Sequence, residues 1–135
     1  RLLVGYVIDR IMGNKADYRK PWYQPRPFEI KLYQLLKVKQ WKGKMPTYTP
    51  EAFDPQLHSW DEIAQAMCQA ELVHEVIILL SFLPLLAAIP FGAFAVFLIT
   101  SMLSALFDSC FVIMQRYNRP RLVRILEKKE AKAHE

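Results

Sequence analysis

The chain has 135 residues, 53% of them hydrophobic, and a formal net charge of +5. That length suits one domain with no room for a second, and two cysteines are too few for a disulfide scaffold. The basic residues border hydrophobic runs, which points to anionic lipid and argues against nucleic acid.

The opening run RLLVGYVIDRI reads as the end of a first transmembrane segment over residues 1–12, with its start upstream of the given sequence; a short strand or a buried helix is the alternative. Residues 13–59 then read as a cytoplasmic interfacial region. Pro21, Pro25 and Pro27 forbid continuous helix, and Tyr18, Trp22 and Tyr23 suit a headgroup boundary. Residues 28–41 place Phe28, Leu32, Leu35 and Leu36 among Lys31, Lys37 and Lys39, which predicts a basic amphipathic helix on the bilayer surface. A helix packed inside the protein is the alternative, and Gly43 supplies a stop. A second proline-punctuated linker follows, and within it Ser59 and Glu62 form an S-x-x-E capping box, predicting a helix from about Trp60 with no break before Pro84.

Between Glu75 and Asp108 the chain carries no charge. Broken only by Pro84 and the Pro90-Phe91-Gly92 turn signal, this stretch predicts a membrane hairpin over residues 60–115, with limbs of roughly 19 and 23 residues against the roughly 20 that a crossing requires. If the turn centres near Phe91, residue i faces roughly residue 182 − i, which sets His74 level with Asp108. Ser101 and Ser104 read as small residues for close helix packing. Asp108 needs a partner, water or a proton. Pro120 is expected to start a separate surface helix in a basic tail over residues 116–135. Nine Lys or Arg lie between Lys15 and Lys44 and seven between Arg116 and Lys132, so the positive-inside rule makes both flanks cytoplasmic in a multi-pass cell-membrane protein.

The chemistry is expected where polar groups enter the hairpin. Glu71 and His74 stand three apart on one helix, the spacing at which a carboxylate orients an imidazole as a general base. Glu75 lies beside Glu71, and Asp108 would complete the centre. The same E-x-x-H spelling occurs in di-iron bundles, but one copy falls short of such a site, so no metal is expected. Cys68 and Cys110 favour free thiols, and nothing beside Cys68 in sequence would activate it. Lys39, Trp41 and Lys42 form a basic aromatic cluster suited to an anionic donor or to lipid headgroups. Gln115, Arg116, Tyr117, Asn118, Arg119 and Arg121 offer cations and hydrogen bonds suited to phosphates or sugar hydroxyls.

KVKQWKGK, then AELVH opening an apolar hairpin, then QRYNRPRL at its exit resemble the glycosyl-4,4'-diaponeurosporenoate acyltransferase family of small bacterial membrane enzymes of carotenoid biosynthesis. The sequence departs from the family pattern at Asp108, where Asn is expected, and at Glu75, where Trp can occur. The resemblance implies Lys39, Trp41, Lys42 and Lys44 as the basic aromatic motif, Glu71 and His74 as the second motif, and Gln115 through Arg121 as the exit motif. It also implies transfer of a fatty acyl group to a sugar hydroxyl of a glycosylated lipid, a glycosyl C30 carotenoid or a related glycolipid.

The expectation is therefore an all-α integral membrane O-acyltransferase working at the cytoplasmic face. His74 would act as base and Glu71 would orient it, with Arg116 or Asn118 meeting the oxyanion. The co-substrate would be an acyl thioester, the partners the bilayer and a glycosylated lipid acceptor, with no further cofactor and with oligomers allowed. A non-catalytic lipid-binding or assembly module and a metal-dependent membrane enzyme are the alternatives.

Overall fold

The computed structural model describes residues 1–47 and 50–133. Every regular element among them is helical: α1 (Leu2–Met12), α2 (Pro27–Leu35), α3 (Val38–Trp41), α4 (Trp60–Leu80), α5 (Ala88–Phe91) and α6 (Phe94–Ala133), joined by short 3-10 turns. The helical stretches Trp60–Phe91 and Phe94–Ala133 are each long and apolar enough to cross a membrane. Their apolar windows are only 6% and 17% buried within the protein. A soluble core helix would hide those side chains, whereas here Ile89, Phe91, Phe94, Ile99, Leu103 and Leu106 face outward.

The hairpin register follows the arithmetic of the sequence. The chain reverses at Gly92 (φ 70) and Ala93 (φ 53), two positive-φ residues in succession. His74 meets Asp108, and nearer the turn Ser81 Oγ lies 3.1 Å from Ser104 Oγ. Ser101 is buried, with no hydrogen-bond partner for its hydroxyl among the described residues, so it contributes by being small.

The compact core lies at the charged base of the hairpin. Ala16, Tyr18 and Tyr23 of the first loop pack there on Ile63, Ala64 and Cys68 of α4 and on Leu122 of α6. Ser59 starts α4 as its spacing predicts, accepting from the Glu62 N–H at 3.2 Å while the Glu62 carboxylate accepts from the Ser59 N–H at 2.8 Å.

Three boundaries differ from the sequence expectation. The surface helix expected over residues 28–41 is split, because Lys37 takes φ 50 and reverses the chain between α2 and α3. In α2 the apolar Phe28, Ile30 and Leu35 are exposed, while Glu29 and Tyr33 are buried. Helix α4 stops at Leu80, before Pro84, and the chain continues as a 3-10 turn over Leu83–Ala87. Pro84 has no N–H to offer the last α4 carbonyls. Pro120 begins no new helix but lies inside α6, a single helix of 40 residues. The lost bond to the Arg116 carbonyl is tolerated because Arg119 and Leu122, on either side of the proline, are both buried.

The Lys37 bend makes a testable demand. Lys37→Gly should keep or raise the thermal unfolding midpoint in detergent, whereas Lys37→Val, β-branched at positive φ, should lower it.

Candidate active site

Two polar centres form where α4 and α6 meet, and they divide the candidate residues between them. Helix rotation makes the division. Three residues turn an α-helix by about 300°, so Glu71 and His74 point about 60° apart on the same side of α4.

His74 belongs to the first centre. Its Nδ1 lies 2.8 Å from Asp108 Oδ1. Asp108 is fully buried, and its other oxygen accepts from Arg1 Nη2 at 2.6 Å and Arg1 Nε at 3.2 Å. A carboxylate can only accept, so Nδ1 of His74 donates to Asp108, and of the two neutral tautomers this bond selects the one with its lone pair on Nε2. The ring stacks on Phe111 at 4.4 Å between centroids, with 5° between planes. Phe107 meets Phe111 edge-on, and the Arg1 guanidinium sits over Phe107. The imidazole is thus fixed by one hydrogen bond and one flat contact.

Glu71 belongs to the second centre and does not orient His74, contrary to expectation. One of its oxygens accepts from Arg116 Nη1 at 2.6 Å and the other from Arg119 Nη1. Arg116 also donates to Glu29 Oε1 at 2.8 Å and to the Trp22 and Gln24 carbonyls, and Arg119 donates to the Tyr23 carbonyl. Two carboxylates and two guanidiniums cancel in charge. Their remaining donors hold the aromatic loop against the hairpin base. Arg116 is therefore spoken for and does not serve as the expected oxyanion donor. Glu75, further along α4, accepts from Trp22 Nε1 at 3.1 Å.

Beyond Gln115, the rest of the exit motif faces elsewhere. Tyr117 lies about two and a half turns beyond Asp108, hence on the opposite side of α6. Arg121 donates to the Tyr117 hydroxyl at 2.6 Å, and Lys42 donates to Asn118 Oδ1 at 2.5 Å while its ammonium sits 4.8 Å from the Tyr117 ring centroid. Burial pushes the Lys42 ammonium below the usual lysine range, and Arg121 and Lys39 act in the same direction. Trp41 turns its indole N–H back onto the Leu36 carbonyl at 2.9 Å. This cationic cluster does not share the His74 centre.

A cavity of about 1190 Å³ opens beside His74, lined by α1, α4, α6 and the second linker. Val73, Ile77, Phe107, Phe111 and Met114 give it an apolar wall, while Asp9, Asn14, Gln69 and Gln115 give it polar groups. It exceeds the ~300–1,000 Å³ of ordinary small-molecule sites. Of the expected substrate residues only Gln115 lines it. Sequence reasoning missed Arg1, Asp9, Asn14 and Gln69 here and Glu29 at the ion cluster. Only Gln69 carried a signal, standing five before His74 on the same helix. Among the described residues no three His, Cys, Asp or Glu side chains come together as a metal-ligand set.

The model of the glycosyl-4,4'-diaponeurosporenoate acyltransferase family matches residues 19–128, most of the chain. No curated protein and no solved structure matches it.

The ion cluster predicts a structural phenotype for Glu71. Glu71→Gln leaves Arg119 without a carboxylate while Arg116 keeps Glu29, one uncompensated buried cation, and should destabilise the protein by about 3–5 kcal/mol. Glu75→Gln, which loses one hydrogen bond, should shift the unfolding midpoint in the same detergent far less.

Proposed function

The chain belongs to the glycosyl-4,4'-diaponeurosporenoate acyltransferase family, and on that premise we propose that it is an integral membrane O-acyltransferase. It transfers a fatty acyl group from a thioester to a sugar hydroxyl of a glycosylated lipid at the cytoplasmic face. The acceptor class follows the family's name, a glycosyl carotenoid or a related glycolipid. The single observation that carries the chemistry is the His74–Asp108 pair opening on a cavity large enough for a lipid.

In this reading the acceptor hydroxyl lies against His74 Nε2. As its oxygen bonds to the thioester carbonyl carbon, the proton passes to Nε2, and the buried Asp108 carboxylate stabilises the imidazolium that forms. The carboxamide of Gln115, one helical turn beyond Phe111, faces the oxyanion. When the tetrahedral intermediate collapses the C–S bond breaks, and the departing thiolate takes the proton back from His74. Arg1 holds Asp108 from the other side, a positioning role. Glu71, Arg116 and Arg119 contribute by fixing the hairpin base.

The apolar wall along Val73, Ile77 and Phe107 suits hydrocarbon from either substrate. Two crossings with basic flanks on the cytoplasmic side fit the charge distribution, and the outward apolar face of α2 fits the bilayer surface. Lys39, Lys42, Tyr117, Asn118 and Arg121 suit lipid phosphates at that surface, with Trp41 at the same level. This departs from a donor site next to the base, because the cluster lies on the far face of α6.

Removing the base tests the reading. Membranes containing His74→Ala should transfer acyl groups about 10²–10⁴-fold more slowly than wild type at equal folded protein. The product, one fatty acyl unit heavier than the acceptor, is followed by mass spectrometry. Unimpaired turnover in the folded variant would remove His74 from the chemistry, and an absence of transfer by wild type would assign the chain to a non-catalytic membrane module.

A further inference from the structure

The His74 cavity is polar at one end, and the polar groups there come largely from α1 and the residues just after it, which precede the span matched by the family model. Gln69 of α4 donates from Nε2 to Asp9 Oδ1 at 2.9 Å, and its Oε1 accepts the Asn14 N–H at 3.0 Å. The Asn14 side chain reaches the Glu62 carbonyl at 3.4 Å. These bonds hold the three side chains in fixed relation without exhausting them. Asp9 keeps its second oxygen, Asn14 its Oδ1, and Gln69 its second N–H. Asp9 has no ion-pair partner among the described residues.

Position along α4 relates this trio to the base. Gln69 and His74 line the same cavity five residues apart, a rise of about 7.5 Å. Ala66 and Ala70, also on the lining face, are small and leave space there. One sugar ring spans such an interval, placing one hydroxyl at His74 Nε2 and others at the carboxylate and carboxamides. The exposed Tyr6 ring, also on the lining, offers the flat apolar surface that the C–H face of a sugar packs against. An uncompensated carboxylate repels phosphate and accepts from hydroxyls, so the chemistry selects a neutral polyol.

We propose that Asp9, Asn14 and Gln69 form the subsite that binds the sugar of the acceptor, so that α1 sets acceptor specificity for the base on α4. The cavity then runs from a polyol end at Asp9 to a hydrocarbon end at Ile77 and Phe107, in the order in which a glycolipid presents the two. The proposal rests on the acyltransferase reading for its biological acceptor but makes a binding claim that stands without turnover.

The test measures binding in the absence of any acyl donor, using the full chain in phospholipid nanodiscs. Hexyl β-D-glucoside and 1-hexanol are titrated separately and followed by saturation-transfer NMR. Wild type and His74→Ala should both bind the glucoside more tightly than the alcohol. Gln69→Ala and the isosteric Asp9→Asn should each weaken glucoside binding about tenfold, the size of one or two lost hydrogen bonds, and should narrow its advantage over hexanol. Thermal unfolding in the same nanodiscs confirms that each variant is folded. No preference for the glucoside in wild type, or wild-type glucoside affinity in both variants, would overturn the subsite. A preference that these variants abolish, in a protein that shows no acyl transfer, would support the subsite and remove the acyltransferase reading alone.

Discussion

Glu71, buried between the guanidiniums of Arg116 and Arg119, is the contact on which the rest of the fold depends. In hydrocarbon two apolar helices gain nothing from hiding their side chains against each other, so limbs proposed to cross a bilayer need polar or close-packed contacts to set their register. This hairpin has three such levels. Glu71 holds the base, His74 and Asp108 hold the middle, and Ser81 with Ser104 hold the region nearer the turn. The strongest is the first, and it also ties down the loop between α1 and α2 through the Trp22, Tyr23 and Gln24 carbonyls.

That arrangement separates stability from chemistry. Burying charges is costly, and the cluster offsets the cost by matching Glu29 and Glu71 to two arginines and giving the leftover donors to backbone oxygens. His74 is relieved of any such duty. It has one fixed partner and one stacked ring, and it lines the cavity. Asp108, buried in an apolar helix, has both His74 and Arg1 as hydrogen-bond donors.

Much of this was legible in the residues. The uncharged run with a proline-glycine turn predicted the hairpin, and counting from Phe91 put His74 opposite Asp108. The capping box at Ser59 placed the start of α4. The spacing of Glu71 and His74 misled, because neighbours at i and i+3 share a side of a helix without sharing partners. The same count sets Glu71 level with Phe111, whereas its partners Arg116 and Arg119 lie farther along α6. Helical side chains lean toward the N-terminus of their own helix, so Glu71 tilts toward the base and the long arginines tilt back to meet it, which a level-by-level count ignores. Other features had no local signal. Nothing in the lysine-rich stretch marks Lys37 for positive φ, and Pro120 reads as a helix start until the burial of Arg119 and Leu122 holds it inside α6. The polar end of the cavity joins α1 to α4 across 60 residues of sequence, so Asp9 and Gln69 could not be paired by spacing.

If His74 and Asp108 act as one catalytic unit, a double-mutant cycle on acyl-transfer rate measures their coupling most directly. His74→Ala, Asp108→Asn and the double variant are compared with wild type at equal folded protein. Strong non-additivity is expected, the double variant being no slower than His74→Ala alone. Losses that simply multiply would contradict the pairing, because independent residues, and not an oriented imidazole, would then be setting the rate.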